Sequence, residues 1–290
     1  APARAPARGP AASMGDARRL YHTDEDWGHS VAAYATDYLI FAASGACAAG
    51  ALALLRRQGA PEARRMLVAF IVYAASAGLS FLFGGIAHQL IDQYGDEPLG
   101  KAWGSPNSGW LYPWALAVLT GPAAVFASFA LVCSAAGLPM WTQYVAYALA
   151  AAFGLAELAL VAAERLDLSG VAGAWAALLV YFLGGAFAGG LALRRLCRGV
   201  RDWLGPCQGG GLLTLGMFTS CLGYAIAGFK PKSCTKTGVD LEAHDGDDCP
   251  FSEDFNHNAI FHVFVMLGVV INFGAVVRAV RAVASDKESG

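Results

Sequence analysis

Long apolar runs, rather than short alternating segments, set the pattern of this chain. Seven stand out, over approximately 31–55, 66–91, 110–135, 141–163, 171–193, 209–229 and 258–277. Each is close to the roughly 20 residues that a helix needs to cross the hydrocarbon core of a bilayer. The runs are rich in Ala and Leu and lack the alternating segments, about ten residues long, of a membrane β-barrel. Continuous helices therefore satisfy the backbone where no water can reach it. Between the third and fourth runs lies AAGLPMW, whose Gly137 and Pro139 break what would otherwise be one long helix. The pattern predicts an all-α fold, a polytopic seven-transmembrane helix bundle over 31–277. A low-complexity tail over 1–30 precedes it and a short cytoplasmic tail over 278–290 follows.

Charge orients the bundle. The link RRQGAPEARR after the first run carries four arginines, and RRLCRGVR after the fifth carries four more. Arg278, Arg281 and Lys287 follow the last run. The opposite links, DQYGDEPLGK, ERLD and one containing EAHDGDD, are acidic or mixed. Basic loops stay on the cytoplasmic side, which places the N-terminus outside or luminal and the C-terminus in the cytoplasm. The opening residues, APARAPARGPAAS, have no apolar core and do not form a secretory signal as they stand. A disordered tail or a fragment of a longer precursor is expected there.

Composition agrees with a membrane setting. Residues are 56% hydrophobic and only 14% charged, against roughly 25% charged in soluble domains. A net charge of −2 gives no basic footprint, so nucleic acid is excluded as an expected partner and membrane lipid is the natural one. Gly185 and Gly189 in GGAFAGG have the spacing that lets helices approach closely. Cys234 and Cys249 bracket the outer link between the sixth and seventh runs, where a disulfide is permitted. A Cys234–Cys249 bridge is a candidate, with free thiols as the alternative.

Ionisable groups at membrane depth are costly and mark functional sites. Asp37 falls in the first run and Glu157 in the fourth. His88 closes the second, and His257 and His262 open the seventh. With alternating helix direction, the three histidines share one depth. Such a set suits zinc, with a fourth position left for water. On a regular helix His257 and His262 stand about 140° apart, whereas Asn258 and His262 are only about 40° apart. His257 reaches the same ion only from an irregular first turn, and Asn258 is the alternative. Asp92, four residues past His88, is placed to orient that imidazole. Ser80 lies two turns deeper on nearly the same face.

This arrangement resembles the CREST superfamily, which includes alkaline ceramidases and progestin/adipoQ-type receptors. Within it, FNHNAIFHVF and TDYLI look closer to a branch carrying an NHN…H motif. The resemblance implies a zinc-dependent hydrolase of a lipid amide or ester bond. It assigns His88, His257 and His262 to the metal, with Asn258 at the spacing expected of the first histidine of the terminal pair. Gly84 stands where the family has Ser, and Ser80 is one turn further in. The third run has no acidic residue, leaving Asp92 or Asp37 to orient the water. The implied catalytic residues are thus Asp92, Ser80 and Asp37. A receptor or sensor using the same residues as a ligand pocket is the second class, and a haem protein the third. Retinal is set aside, because all five lysines (101, 230, 232, 236 and 287) lie in links or tails.

Overall fold

A computed structural model describes residues 31–94, 109, 111–163, 166–197, 206–228 and 257–288. It contains seven long helices: α1 (Val31–Arg57), α2 (Pro61–Tyr94), α3 (Leu111–Ala135), α4 (Met140–Ala162), α5 (Leu166–Cys197), α6 (Pro206–Gly228) and α7 (His257–Glu288). No strand occurs among the described residues. All seven contain a stretch long and apolar enough to cross a membrane. The architecture is the expected all-α, seven-helix, multi-pass bundle.

Several helices outrun their apolar segments. α7 continues past the last apolar run through Arg278 and Arg281 to Glu288. Arg56 and Arg57 close α1, where cations meet the negative end of the helix dipole. There Arg64 of α2 reaches back and donates to the carbonyls of Leu55 (3.2 Å) and Gln58 (3.1 Å), satisfying acceptors that the helix end leaves open. The α3–α4 turn is set by Gly137, whose φ of 71° suits a residue without Cβ. Its N–H bonds the Ser134 carbonyl at 3.0 Å, and Leu138 N–H bonds that of Cys133 at 3.0 Å. These two bonds form a Schellman stop, and Pro139 then caps α4.

Consecutive helices pack as neighbours, and α7 returns against α1 and α2 to close the ring. α3 lies inside, touching α5 and α6 as well as its chain neighbours. The interior is built largely of alanine around Phe70, Tyr73, Leu131, Tyr181 and Met217. Bulky side chains face outward: Leu39, Leu149, Leu155, Trp175, Phe182 and Leu215 are all more than half exposed or at half. In water such a surface would aggregate, whereas in lipid it is solvated. Small residues inside and large ones outside is the arrangement that lets helices pack where the solvent is itself apolar.

The closest approach joins α6 and α7. A Cβ on Gly268 would lie 2.9 Å from the Gly216 carbonyl oxygen, and one on Gly216 would lie 3.1 Å from that of Gly268. On the α5 face, Gly185 seats the Phe218 ring and Gly189 seats Thr214, as their spacing suggested. Gly268→Val should lower the stability of the bundle by about 1–3 kcal/mol through overpacking. Gly274→Ala, which meets nothing within 4 Å, should have little effect; unfolding titrations of both variants in mixed micelles provide the comparison.

Candidate functional site

Near one end of the bundle the helices part around a cavity of about 290 Å³. α1, α3, α5 and α7 contribute their N-terminal halves to it, and α2, α4 and α6 their C-terminal halves. This is the end opposite the two arginine-rich links. Most of the lining is apolar, and its aromatic members include Phe81, Trp114, Phe126, Phe153, Tyr224 and Phe261. Pro122 lies in the same wall, inside α3. Lacking an N–H, it leaves the Val118 carbonyl without its intrahelical donor.

At the polar edge stands a buried pair. His262 Nε2 lies 3.2 Å from Asp37 Oδ1, and the two side chains are only 3% and 2% exposed. On the other side of the ring, Nδ1 is 3.1 Å from the Ala33 carbonyl and 2.9 Å from Thr36 Oγ1. The Thr36 hydroxyl proton is directed to the carbonyls of Ala32 and Ala33 (2.7 and 2.8 Å). A carbonyl only accepts, so Nδ1 carries the ring proton and donates it there. Nε2 and Oδ1 then share a single proton, and the pair is neutral overall whichever atom holds it. Neutrality is what allows two ionisable groups at this depth. Asp37 Oδ2 takes no hydrogen bond from any described residue.

Glycine makes room for the pair. A Cβ on Gly85 would lie 2.9 Å from Asp37 Cβ and 3.1 Å from the Tyr38 ring. The missing side chain lets α2 lie directly on the carboxylate, and the Tyr38 hydroxyl donates to Gln89 Oε1 at 2.7 Å just beyond. Phe81 of α2 presents an edge-on contact to the His262 ring at 5.3 Å, and Phe261 lies against it at 4.9 Å.

The residues singled out in the sequence distribute as follows. Asp37, Ser80, His88, Asn258 and His262 all border the cavity, with Gly84 between them. His88 lies edge-on to Trp114 at 6.0 Å. The Ser80 hydroxyl donates to the Ala117 carbonyl at 3.1 Å, which ties it to α3. His257 is the first residue of α7, but its side chain, like that of Asp92, lies outside the described residues, as do Cys234 and Cys249 altogether. The cysteines whose side chains are described, Cys47, Cys133 and Cys221, are free. The Asp37–His262 contact itself was not anticipated. Its signal was present: Asp37 is the seventh residue of α1 and His262 the sixth of α7, so both lie two turns in from the same end. Glu157, also noted as ionisable, proves to face the same cavity.

Zinc can be weighed against these donors. Two converge: the 3.2 Å between His262 Nε2 and Asp37 Oδ1 is near the roughly 3.3 Å edge of a tetrahedron with 2.0 Å bonds. The Nδ1 contact to a backbone carbonyl is also the usual outer support of a metal-bound histidine. Yet among the described residues no three His, Cys, Asp or Glu side chains group closely enough to hold an ion. The described donors supply half of a site, and His88 or His257 would have to complete it.

Fold and site together define a multi-pass seven-helix membrane protein with a largely apolar cavity toward one end of the bundle. Comparison with protein-family models, curated proteins and solved structures finds no match to this chain.

The buried pair should behave as a unit. Asp37→Ala and His262→Ala are each expected to cost about 3–5 kcal/mol, because either leaves an unmatched polar group in the interior. The double variant should cost clearly less than the sum. An additive double-mutant cycle, measured by unfolding in mixed micelles, would show that the two side chains do not interact.

Proposed function

We propose that the protein binds a single-chain membrane amphiphile in this cavity, with the ligand's polar end at the Asp37–His262 pair. The observation that carries this reading is the cavity's polarity. Its walls are predominantly apolar and aromatic, and Asp37, His88, Glu157, Asn258 and His262 are among the few polar side chains that line it. Ligand sites of this kind combine an apolar body with a few convergent polar atoms. Asp37 and His262 bring a hydrogen-bonding pair to the cavity wall. On this reading the molecule is a seven-span lipid receptor or carrier. The arginine bias puts its N-terminus outside, its C-terminus in the cytoplasm and the cavity at the outer leaflet.

The convergence of Nε2 and Oδ1 supports a second reading, hydrolysis of a lipid amide or ester. Asp37 and His262 would hold zinc with a third donor from His88 or His257. When bound, the metal would supply a hydroxide near neutral pH. The chain's own part would be to fix the His262 tautomer through Ala33, keep Asp37 ionised beside the metal and exclude bulk water with Phe81 and Phe261. Ser80, whose hydroxyl donates to the Ala117 carbonyl, would help to fix α2 against α3 in this wall.

Two measurements separate these readings. After delipidation and exposure to cell lipid extract, native mass spectrometry should find about one amphiphile per chain. Ala177→Phe, which fills the cavity from α5, should lose it; equal occupancy in both proteins would refute the binding reading. Elemental analysis after zinc loading decides the hydrolase. About one zinc per chain, absent from a His88→Ala/His262→Ala variant, is the hydrolase result. Zinc-free wild-type protein would remove that reading and leave amphiphile binding.

A further inference from the structure

Glu157 differs from Asp37 in the same cavity. It sits well inside α4, only 4% exposed, and lines the cavity. No described residue gives it a hydrogen bond or an ion pair, and no Lys or Arg is among the described residues lining the cavity. Its carboxyl is pressed against α5, where a Cβ on Gly173 would come within 2.5 Å of Oε1. The glycine there opens a cradle for the carboxyl and fixes which way it faces. Phe153, four residues earlier on the same helix face, borders the cavity with it. Tyr224 lines the same cavity.

A lone carboxyl at this depth is expensive unless a cation meets it. Asp37 has His262 for balance, so Glu157 is the uncompensated acid of the cavity. Around it stand aromatic rings, whose faces attract ammonium groups. Carboxylate and rings together are the recognition elements of an organic cation, and they repel anionic headgroups. We propose that the amphiphile is a lipophilic amine, with its ammonium against Glu157 and among the rings of Phe153 and Tyr224, and its hydroxyl or amide directed to the Asp37–His262 edge. This rests on the reading that the cavity holds an amphiphile and adds the ligand's charge to it.

The test uses the full chain in nanodiscs and two tritiated probes with one tail, octyltrimethylammonium and octanol, each corrected for partition into empty discs. The quaternary cation cannot lose its charge, and the alcohol has none. Saturable cation binding is expected, with affinity about ten- to a hundredfold weaker in Glu157→Gln, the loss of one charge-assisted contact. Octanol affinity should be the same in both proteins. Unchanged cation affinity in Glu157→Gln would overturn the proposal. Should that variant fail to fold, the wild-type protein decides alone, because equal affinities for cation and alcohol also overturn it. Saturable octanol binding without cation preference would sink only the amine proposal. Absence of saturable binding by either probe would sink the cavity reading with it.

Discussion

Inside hydrocarbon, a polar group has only the protein to satisfy it, and this constraint shapes the whole bundle. Backbone groups meet it by forming seven long helices, with the ladder broken in α3 at Pro122. Side chains meet it locally, as when Thr36, Thr120, Ser128 and Thr214 return their hydroxyl protons to carbonyls one turn back. Where local return is impossible, partners must come from another helix. Asp37 and His262 do this between α1 and α7, the first and last of the described helices. Their contact therefore sits at the seam that closes the ring. One hydrogen-bonded pair balances two costly groups and joins the two ends of the described bundle.

That closure depends on thin helices. Gly85 lets α2 lie on Asp37, and Gly216 and Gly268 bring α6 and α7 together so that α7 reaches α1 at the right height. The same device places the second acid, for Gly173 leaves space beside Glu157. Dispersion between small residues holds such surfaces together, since apolar lipid offers no hydrophobic drive for helix association. Near one end of the bundle Phe81, Trp114, Phe126 and Phe261 share the wall of the cavity with Gly84, Gly121 and Gly173.

Much of the fold was legible in the sequence, because the bilayer turns length and hydropathy into structure directly. The Gly137–Pro139 break was also legible, since few residues other than glycine sit easily at φ 71°. Helix ends were less so: the charged ends of α2 and α7 continue the helical backbone beyond the apolar runs, and hydropathy is blind to them. At the site, the shared depth of His88 and His262 follows from counting along alternating helices, and both do border one cavity. What counting cannot provide is azimuth. Whether Asp37 points at His262 or away depends on which helix neighbours α1, and no local pattern in TDYLI encodes its contact with a residue 225 positions later. Glu157 was visible for the same reason as Asp37, and its lack of a partner was invisible for the same reason as Asp37's possession of one.

The contrast between those two acids gives the cavity a direction. Asp37 and His262 hold one proton between them and are neutral together, so that edge needs nothing from a ligand beyond hydrogen bonding. Glu157 has no such companion among the described residues, so on the proposed reading the balance of its charge falls to the ligand. The ligand's positive charge is then met at α4, and the α1–α7 seam is asked only for hydrogen bonding. The seam can then remain closed while the cavity fills, which is the property a membrane binding site needs if its ligand is not to loosen the fold.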